Sequence, residues 1–465
     1  MKHFEIKKLT ESEAAESIAI LAVSIALIYS LISVYFCNHF FFHTEINGVN
    51  VSLKAYDTAN QTISDFIKGY ELQLTERDRE TEEIAGQDID LQYNEKKRIS
   101  EICQKQISLE WIGSLFKGQK FYINNLFIYN QDLLKNKISQ LDCLNKTITK
   151  PKNVNFEYSN GSYKVIREVY GNEIIKDKLD EAIKTSIENG ETKLNLEEKQ
   201  CYENPTYTSS SDKTLMTKRL LDRYVSSNIT YKFGDKNETL DGNTINKWLH
   251  VGEKLDVKID RAGIVKYVNE LSRKYDTVGT PRDFAASVGK TIAVKGGLYG
   301  WKIDQSAEAE ALFENITRGE TVKREPIYAQ TALSRGKNEI GSTYLEIDIT
   351  KQHVWFYREG KLIAEGPVVT GNPNRGWSTV TGTYSLNYKQ KGATLSGPGS
   401  KTNVTYWMPF FGNIGLHDAY WRSSFGGQIY KRNGTHGCIN APFYLAKTIF
   451  DHIEAGTPVV CYEEG

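Results

Sequence analysis

From Ser17 to Cys37 the chain runs through 21 consecutive uncharged residues. At 1.5 Å per residue, such a stretch crosses a hydrocarbon core of about 30 Å as a helix. Lys2, Lys7 and Lys8 precede it, and the next permanently charged basic side chain is Lys54. By the positive-inside rule, which counts lysine and arginine, this places residues 1–16 in the cytoplasm, 17–37 in the membrane as a single-pass anchor, and everything after about residue 40 outside the cell. Tyr35, Phe36 and the run Phe40-Phe41-Phe42 are expected to form an interfacial aromatic belt. The alternative is a cleaved signal peptide, but no small-x-small site follows the apolar run. A lipoprotein reading of Cys37 would want a small residue before it, where Phe36 stands.

Two segments of the outer region repeat each other. Tyr170-Gly171-Asn172-Glu173-Ile174 corresponds to Tyr299-Gly300-Trp301-Lys302-Ile303, and Gly190-Glu191-Thr192 to Gly319-Glu320-Thr321, at a constant offset of 129 residues. Between the markers each copy carries a helical pattern: Leu179, Ala182, Ile183 and Ile187 in the first, Ala311, Leu312 and Ile316 in the second. Both helices end at a glycine suited to the first position beyond the helix. Weaker echoes link Gly86-Gln87-Asp88-Ile89 to Gly242-Asn243-Thr244-Ile245, and Leu134, Ile138 and Leu141 to Ile264, Val268 and Leu271. Before them, Tyr56, Ala59, Ile63, Phe66 and Tyr70 share one helical face behind a Ser52 cap. Helices mixed with short strands predict two α+β repeat domains, at 44–215 and 220–333. Neither copy gathers an acid, a base and a nucleophile, so both read as binding or spacing modules.

From about Tyr344 the pattern changes. Leu345, Ile347 and Ile349 alternate with polar residues, Val354-Trp355-Phe356-Tyr357 turns through Glu359-Gly360 into Leu362-Ile363, and further strands fall at Val368-Val369 and around Tyr384–Leu386. Turn signals about every ten residues predict an all-β sandwich or barrel over 341–465. A single helix near Leu445–Ile453 interrupts it, and Val459-Val460-Cys461-Tyr462 closes it as a strand. Lys389–Asn403, rich in Gly, Ser, Thr and Lys, reads as a mobile loop.

The chemistry concentrates in Thr435-His436-Gly437-Cys438-Ile439-Asn440, with His417 upstream. A thiol attacks as thiolate, and a nearby imidazole can hold it in that form and later protonate a leaving amine. Cys438 is the expected nucleophile, His417 the general base, and His436 a second ring able to hold or polarise the sulfur. Gly437 lets backbone approach, and Thr435 adds a hydroxyl. Asp418 could orient His417 through its carbonyl or its side chain. Tyr406, Trp407 and Met408 are expected to wall a groove, and Trp421 and Arg422 to sit in a loop folded over it. Core packing is the alternative for the aromatic run, and a solvated surface charge the alternative for Arg422. Zinc on His417, His436 and Cys438 is a competing reading, but no further ligand follows at a familiar spacing. A buried structural thiol like Cys461 is the remaining alternative for Cys438.

Six cysteines (Cys37, Cys103, Cys143, Cys201, Cys438 and Cys461) are scattered without a C-x-x-C pair, which excludes zinc-ribbon and thioredoxin readings. Cys103, Cys143 and Cys201 fall in one region where pairing is conceivable. Lys plus Arg and Asp plus Glu both total 58, a balance that leaves no electrostatic footprint for nucleic acid.

The segment from about Ser342 to Tyr462 resembles the L,D-transpeptidase catalytic domain of the YkuD type. That family carries an upstream histidine followed by [S/T]-H-G-C, matched by His417 and Thr435-His436-Gly437-Cys438. The duplicated region resembles the peptidoglycan-binding domains that precede this catalytic domain in Gram-positive bacteria. The resemblance implies attack by Cys438 on a peptidoglycan stem tetrapeptide, release of D-alanine, and resolution of the thioester by the amine of a neighbouring stem, giving a 3→3 cross-link. It implies no metal or cofactor, an oxyanion hole from backbone amides near Gly437 and Cys438, and acylation by carbapenem-type β-lactams. Many members have arginine two positions after the nucleophile, where this chain has Asn440, so a charged role there does not carry over. Thr435 replaces the commoner serine. An L,D-carboxypeptidase, in which water accepts the acyl group, and a wall-binding protein with an inactive catalytic domain are the alternatives.

Overall fold

The computed structural model describes residues 11–397 and 400–464; Lys2, Lys7 and Lys8 lie outside them. The chain divides into two compact units, residues 1–155 with 166–211 and residues 156–165 with 212–465.

In the first unit an apolar helix spans Glu11–Tyr35. It begins earlier than the uncharged run and stops two residues before Cys37. The aromatic residues behind it do not form a belt. Phe40 is sealed in the unit's core with Ile46, Ala59 and Ile63, and Phe36 and Phe41 pack with Trp111. Tyr35 alone stays exposed, its hydroxyl donating to the Leu53 carbonyl at 2.8 Å. Rings this large contribute most when taken out of water, and the folded unit offers them a dry interior. The helix Tyr56–Lys68 buries the expected face through Ala59, Ile63 and Ile67. Its N-cap is Ala55, without a side-chain cap, because Ser52 Oγ instead accepts from the Thr44 amide at 3.0 Å. Cys103, Cys143 and Cys201 are all free thiols, buried in this core.

The repeats show the same local topology. In the first unit a hairpin of Glu71–Thr75 and Thr81–Ala85 takes Lys193–Asn195 alongside in parallel. In the second unit a hairpin of Asn228–Phe233 and Lys236–Leu240 takes Thr321–Arg324 in the same way. The preceding helices are Lys176–Glu188 and Gln305–Arg318, and the expected glycines follow with positive φ, Gly190 at 65° and Gly319 at 71°. The hairpin at 156–165 belongs to the second unit, where Tyr163 joins a core with Leu221, Val225 and Ile229.

The C-terminal part of the second unit holds two sheets. We label its strands β1 (Tyr344–Asp348), β2 (His353–Arg358), β3 (Lys361–Pro367), β4 (Gly382–Ser385), β5 (Gln390–Gly397), β6 (Ser400–Phe411), β7 (Ile414–Asp418), β8 (Ile439–Ala441) and β9 (Pro458–Tyr462). One sheet runs β3-β2-β1-β9-β4 and the other β5-β6-β7-β8. Leu345, Ile347 and Phe356 from the first meet Met408, Leu416 and Ile439 from the second in a single core, closed by Leu445, Ala446 and Ile449 of the helix Phe443–His452. The segment read as a mobile loop, Lys389–Asn403, is mostly strand: β5 pairs with β6 from Gln390↔Trp407 to Gly397↔Ser400. Pro398 and Gly399 lie outside the described residues.

A hairpin of the second repeat, Arg282–Ala285 with Thr291–Val294, packs against this domain. Phe284 and Val294 share a cluster with Val460 and Tyr462. The buried Glu346 carboxylate accepts from Ser287 N at 2.9 Å, Ser287 Oγ at 2.5 Å and Tyr462 Oη at 2.6 Å. A carboxylate this deep is tolerated because both of its oxygens find donors.

Candidate active site

Strand register gathers the candidate residues. β7 and β8 run parallel with His417 opposite Asn440, and β6 pairs with β7 with Trp407 opposite His417. Side chains alternate along a strand, so Trp407, His417, Asn440 and Cys438, two residues before Asn440, share one face. Tyr406, Met408, Leu416 and Ile439 take the other face, which is the core. Tyr406 and Met408 pack into that core and line no part of the cavity beside Cys438, which corrects the expectation for both. Trp407 does line the cavity, on the same alternation.

That cavity is about 990 Å³ and takes in Cys438, His417, His436, Trp407, Trp421 and Arg422. The β5–β6 hairpin supplies one wall through residues such as Leu395 and Asn403. Trp421 is 44 % exposed, its ring 6.0 Å from that of His417. His436 is exposed and rests on Trp377, ring centres 4.0 Å apart.

His417 is buried, and its Nδ1 lies 3.0 Å from the Asp418 carbonyl. A carbonyl can only accept, so Nδ1 carries the proton and Nε2 keeps its lone pair. Asp418 thus orients the ring through its backbone. Its carboxylate Oδ1 is used elsewhere, accepting from Thr405 N at 2.8 Å and Tyr406 N at 2.7 Å, which holds β6 against β7. Burial pushes the imidazole down from its ordinary value, partly opposed by the Asp418 carbonyl. Burial also pushes the Cys438 thiol up. Desolvation therefore penalises both charged forms, the thiolate and the imidazolium. The Cys438 Sγ–H donates to the Asn413 carbonyl at 3.3 Å, and no hydrogen bond joins it to either imidazole among the described residues.

The nucleophile's turn is held by hydroxyls. Thr435 Oγ1 donates to the Cys438 carbonyl at 2.6 Å and accepts from Gly437 N at 3.0 Å. Thr379 Oγ1 donates to the Gly437 carbonyl at 2.7 Å. At about 1 kcal/mol net each, three such bonds strongly favour one conformation. They also occupy the Gly437 amide, so of the two amides expected to stabilise an oxyanion only that of Cys438 remains. Gly437 has φ of +122°, and a Cβ there would lie 3.1 Å from the Ile414 side chain. Gly371 approaches more closely still, where a Cβ would fall 1.9 Å from the Trp377 carbonyl. Arg422 lines the cavity half-buried, and burial pushes its guanidinium down from its ordinary value. Its Nε is buried and meets no partner. Asn413, Trp377 and Thr379 escaped the sequence reading; two of them act through carbonyls or hydroxyls, which leave no motif.

His417, His436 and Cys438 do not converge as metal ligands. Among the described residues the one such cluster is Glu76, Asp78 and Glu80 in the first unit, where the Lys146 ammonium already lies 2.6–3.2 Å from the three carboxylates.

Residues 342–461 match the family model of the YkuD L,D-transpeptidase catalytic domain. Residues 83–195 and 208–323 each match that of a peptidoglycan binding domain. Among solved structures, an Enterococcus faecium L,D-transpeptidase mutant is 30% identical, over 54% of this chain and 100% of that one, with a TM-score of 0.44. A structure described as the Ldtfm–avibactam carbamoyl enzyme is 30% identical over 54% and 98%, with a TM-score of 0.45. The catalytic domain of the E. faecium L,D-transpeptidase acylated by ertapenem is 37% identical over 26% and 98%, with a TM-score of 0.25. No curated protein matches the chain.

Proposed function

This chain belongs to the L,D-transpeptidase family, and on that premise we propose that it forms 3→3 cross-links between peptidoglycan stem peptides through a thioester on Cys438. The observation that carries the reading is the shared sheet face, where Cys438 opens into the same cavity as a His417 fixed in the Nε2-basic tautomer. On donor binding, Sγ turns from the Asn413 carbonyl, passes its proton to His417 Nε2 and bonds to the stem carbonyl carbon. The Cys438 amide faces the developing oxyanion. The tetrahedral adduct expels D-alanine, whose nitrogen takes the proton from His417. An amine from a second stem then gives a proton to His417 and attacks the thioester, and the sulfur leaves and is reprotonated. Arg422, which lines the cavity, would meet a stem carboxylate, while Trp407 and Trp421 flank the peptide. The chemistry draws on no metal or cofactor.

A β-lactam presents Sγ with the same kind of acyl carbonyl, so carbapenem-type compounds are expected to acylate Cys438. The modules at 44–215 and 220–333 would hold the enzyme on peptidoglycan, and the domain at 341–465, read as a sandwich with one inserted helix, would do the chemistry. The apolar helix, over the stretch 17–37, would anchor the protein, with 1–16 cytoplasmic and the rest on the wall side. Its composition supports this, since its mean hydropathy reaches 2.4 with only 6% of the span buried by protein. Incubation with a disaccharide-tetrapeptide followed by mass analysis tests the function. Cross-linked dimers support it. D-alanine release without dimers would identify an L,D-carboxypeptidase, and unchanged substrate a wall-binding protein.

A further inference from the structure

The segment Ile107–Phe116 of the first unit carries five exposed large apolar side chains: Ile107 and Leu109 at 58 %, Ile112 at 46 %, Leu115 at 41 % and Phe116 at 88 %. A folded surface in water rarely gathers so many without a partner. Its backbone is two short turns, Ser108–Glu110 and Trp111–Ser114, so the run is not a misplaced strand or core helix. The turns are fixed to the apolar helix by contacts on their inner side. Tyr29 Oη donates to the Leu109 carbonyl. The Trp111 ring lies 5.7 Å from that of Tyr29, 6.1 Å from Phe36 and 6.3 Å from Phe42. Just before the turns, the Gln106 amide accepts from Phe41 N and donates to the His39 carbonyl, both at 3.1 Å.

Tyr29 precedes the helix end at Tyr35 by six residues, about 9 Å along the axis. A bilayer spanned by this helix therefore reaches the level of Leu109 and the apolar side chains beside it. Lys105 and Lys117 bracket the run, both exposed, suited to lipid phosphates while their stems lie against acyl chains.

We propose that Ile107–Phe116 is a second membrane contact, inserted into the outer leaflet beside the anchor helix and fixing the orientation of the first unit on the bilayer. The proposal rests on the anchor reading of that helix and is independent of the catalytic one. Trp111 closes the joint, and Ile112, Leu115 and Phe116 face the lipid.

The full-length chain in phosphatidylcholine–phosphatidylglycerol vesicles tests this, using acyl chains brominated near the glycerol end as a quencher of tryptophan emission. Phe116→Trp places a reporter on the patch, and Leu133→Trp, at a site 41 % exposed on the helix Gln131–Ser139, places one elsewhere in the same unit. Relative to the parent protein, the added emission of F116W should be mostly lost in brominated vesicles, while that of L133W survives. Equal quenching of the two, or none at F116W, overturns the proposal, including the case in which a second copy of the chain covers the patch. Intact mass of the same samples reports whether the helix is retained. A chain lacking it overturns both the anchor reading and this one, whereas a retained helix with unquenched F116W overturns only this one.

Discussion

Cys461 and Cys438 belong to one domain and differ in where they stand on a strand. Cys461 lies inside β9, paired in parallel with Ile347 and antiparallel with Gly382. It is fully buried, and burial alone drives its thiol far up. Cys438 stands one residue before β8, where pairing has not begun and one side opens to the cavity. A strand interior satisfies backbone on both flanks and seals the side chain. A strand's start leaves an amide and a face available. Burial pushes both thiols up, so the difference does not lie in the direction of that shift. It lies in access, and in a base on the neighbouring strand.

Substitution gives the widest separation. Cys438→Ala should abolish turnover, leaving neither dimers nor D-alanine by mass analysis, with the melting transition retained. If Cys461→Ala did the same in a folded protein, the comparison would be broken.

His417→Ala should lower kcat by about 10²–10⁴-fold, the range for losing a positioned general base. Steady-state D-alanine release measures it. A fall much smaller than that would move the base to His436.

The pH dependence sharpens the contrast between a neutral and an ionic pair. Catalysis needs unprotonated His417, whose pKa is lowered, so the acid limb of kcat/KM should lie below the ordinary imidazole value of about 6.5. Alkylation of Cys438 by iodoacetamide should be slow at neutral pH and rise only above the ordinary thiol value of about 8.5, because its pKa is raised. Fast alkylation that has levelled off below neutrality would mean a resting thiolate–imidazolium pair.

The smallest effect is expected at Cys461. Cys461→Ala removes one buried sulfur, worth on the order of 1 kcal/mol if its loss is taken as similar to one buried methylene. Denaturant unfolding would show that loss, and activity below the transition should be unchanged.

The two thiols also mark how far the sequence could be read. Thr435-His436-Gly437-Cys438 and His417 were legible because the chemistry demands those side chains, and Cys461 was legible as the end of an apolar strand. Period-two alternation was legible in β1, yet β6 was missed: its first residues, Ser400–Asn403, are polar, and the run read as loop. Missing the strand meant missing its alternation, so Tyr406 and Met408 were assigned to the groove when only Trp407 faces it. The direction in which His417 and Cys438 are shifted was hidden as well, since it follows from burial created by residues distant in sequence. The repeats were legible from glycines at fixed spacing. The burial of Phe36, Phe40 and Phe41 was not, because aromatic residues after an apolar helix suit a membrane interface and a protein core equally.

The most direct test is acid quenching of the protein during reaction with a tetrapeptide donor, followed by peptide mapping. The account predicts an acyl adduct, tetrapeptide minus D-alanine, on the peptide containing Cys438 and on no other cysteine. Cross-linked product formed by the Cys438→Ala protein, or an adduct carried elsewhere, would contradict it.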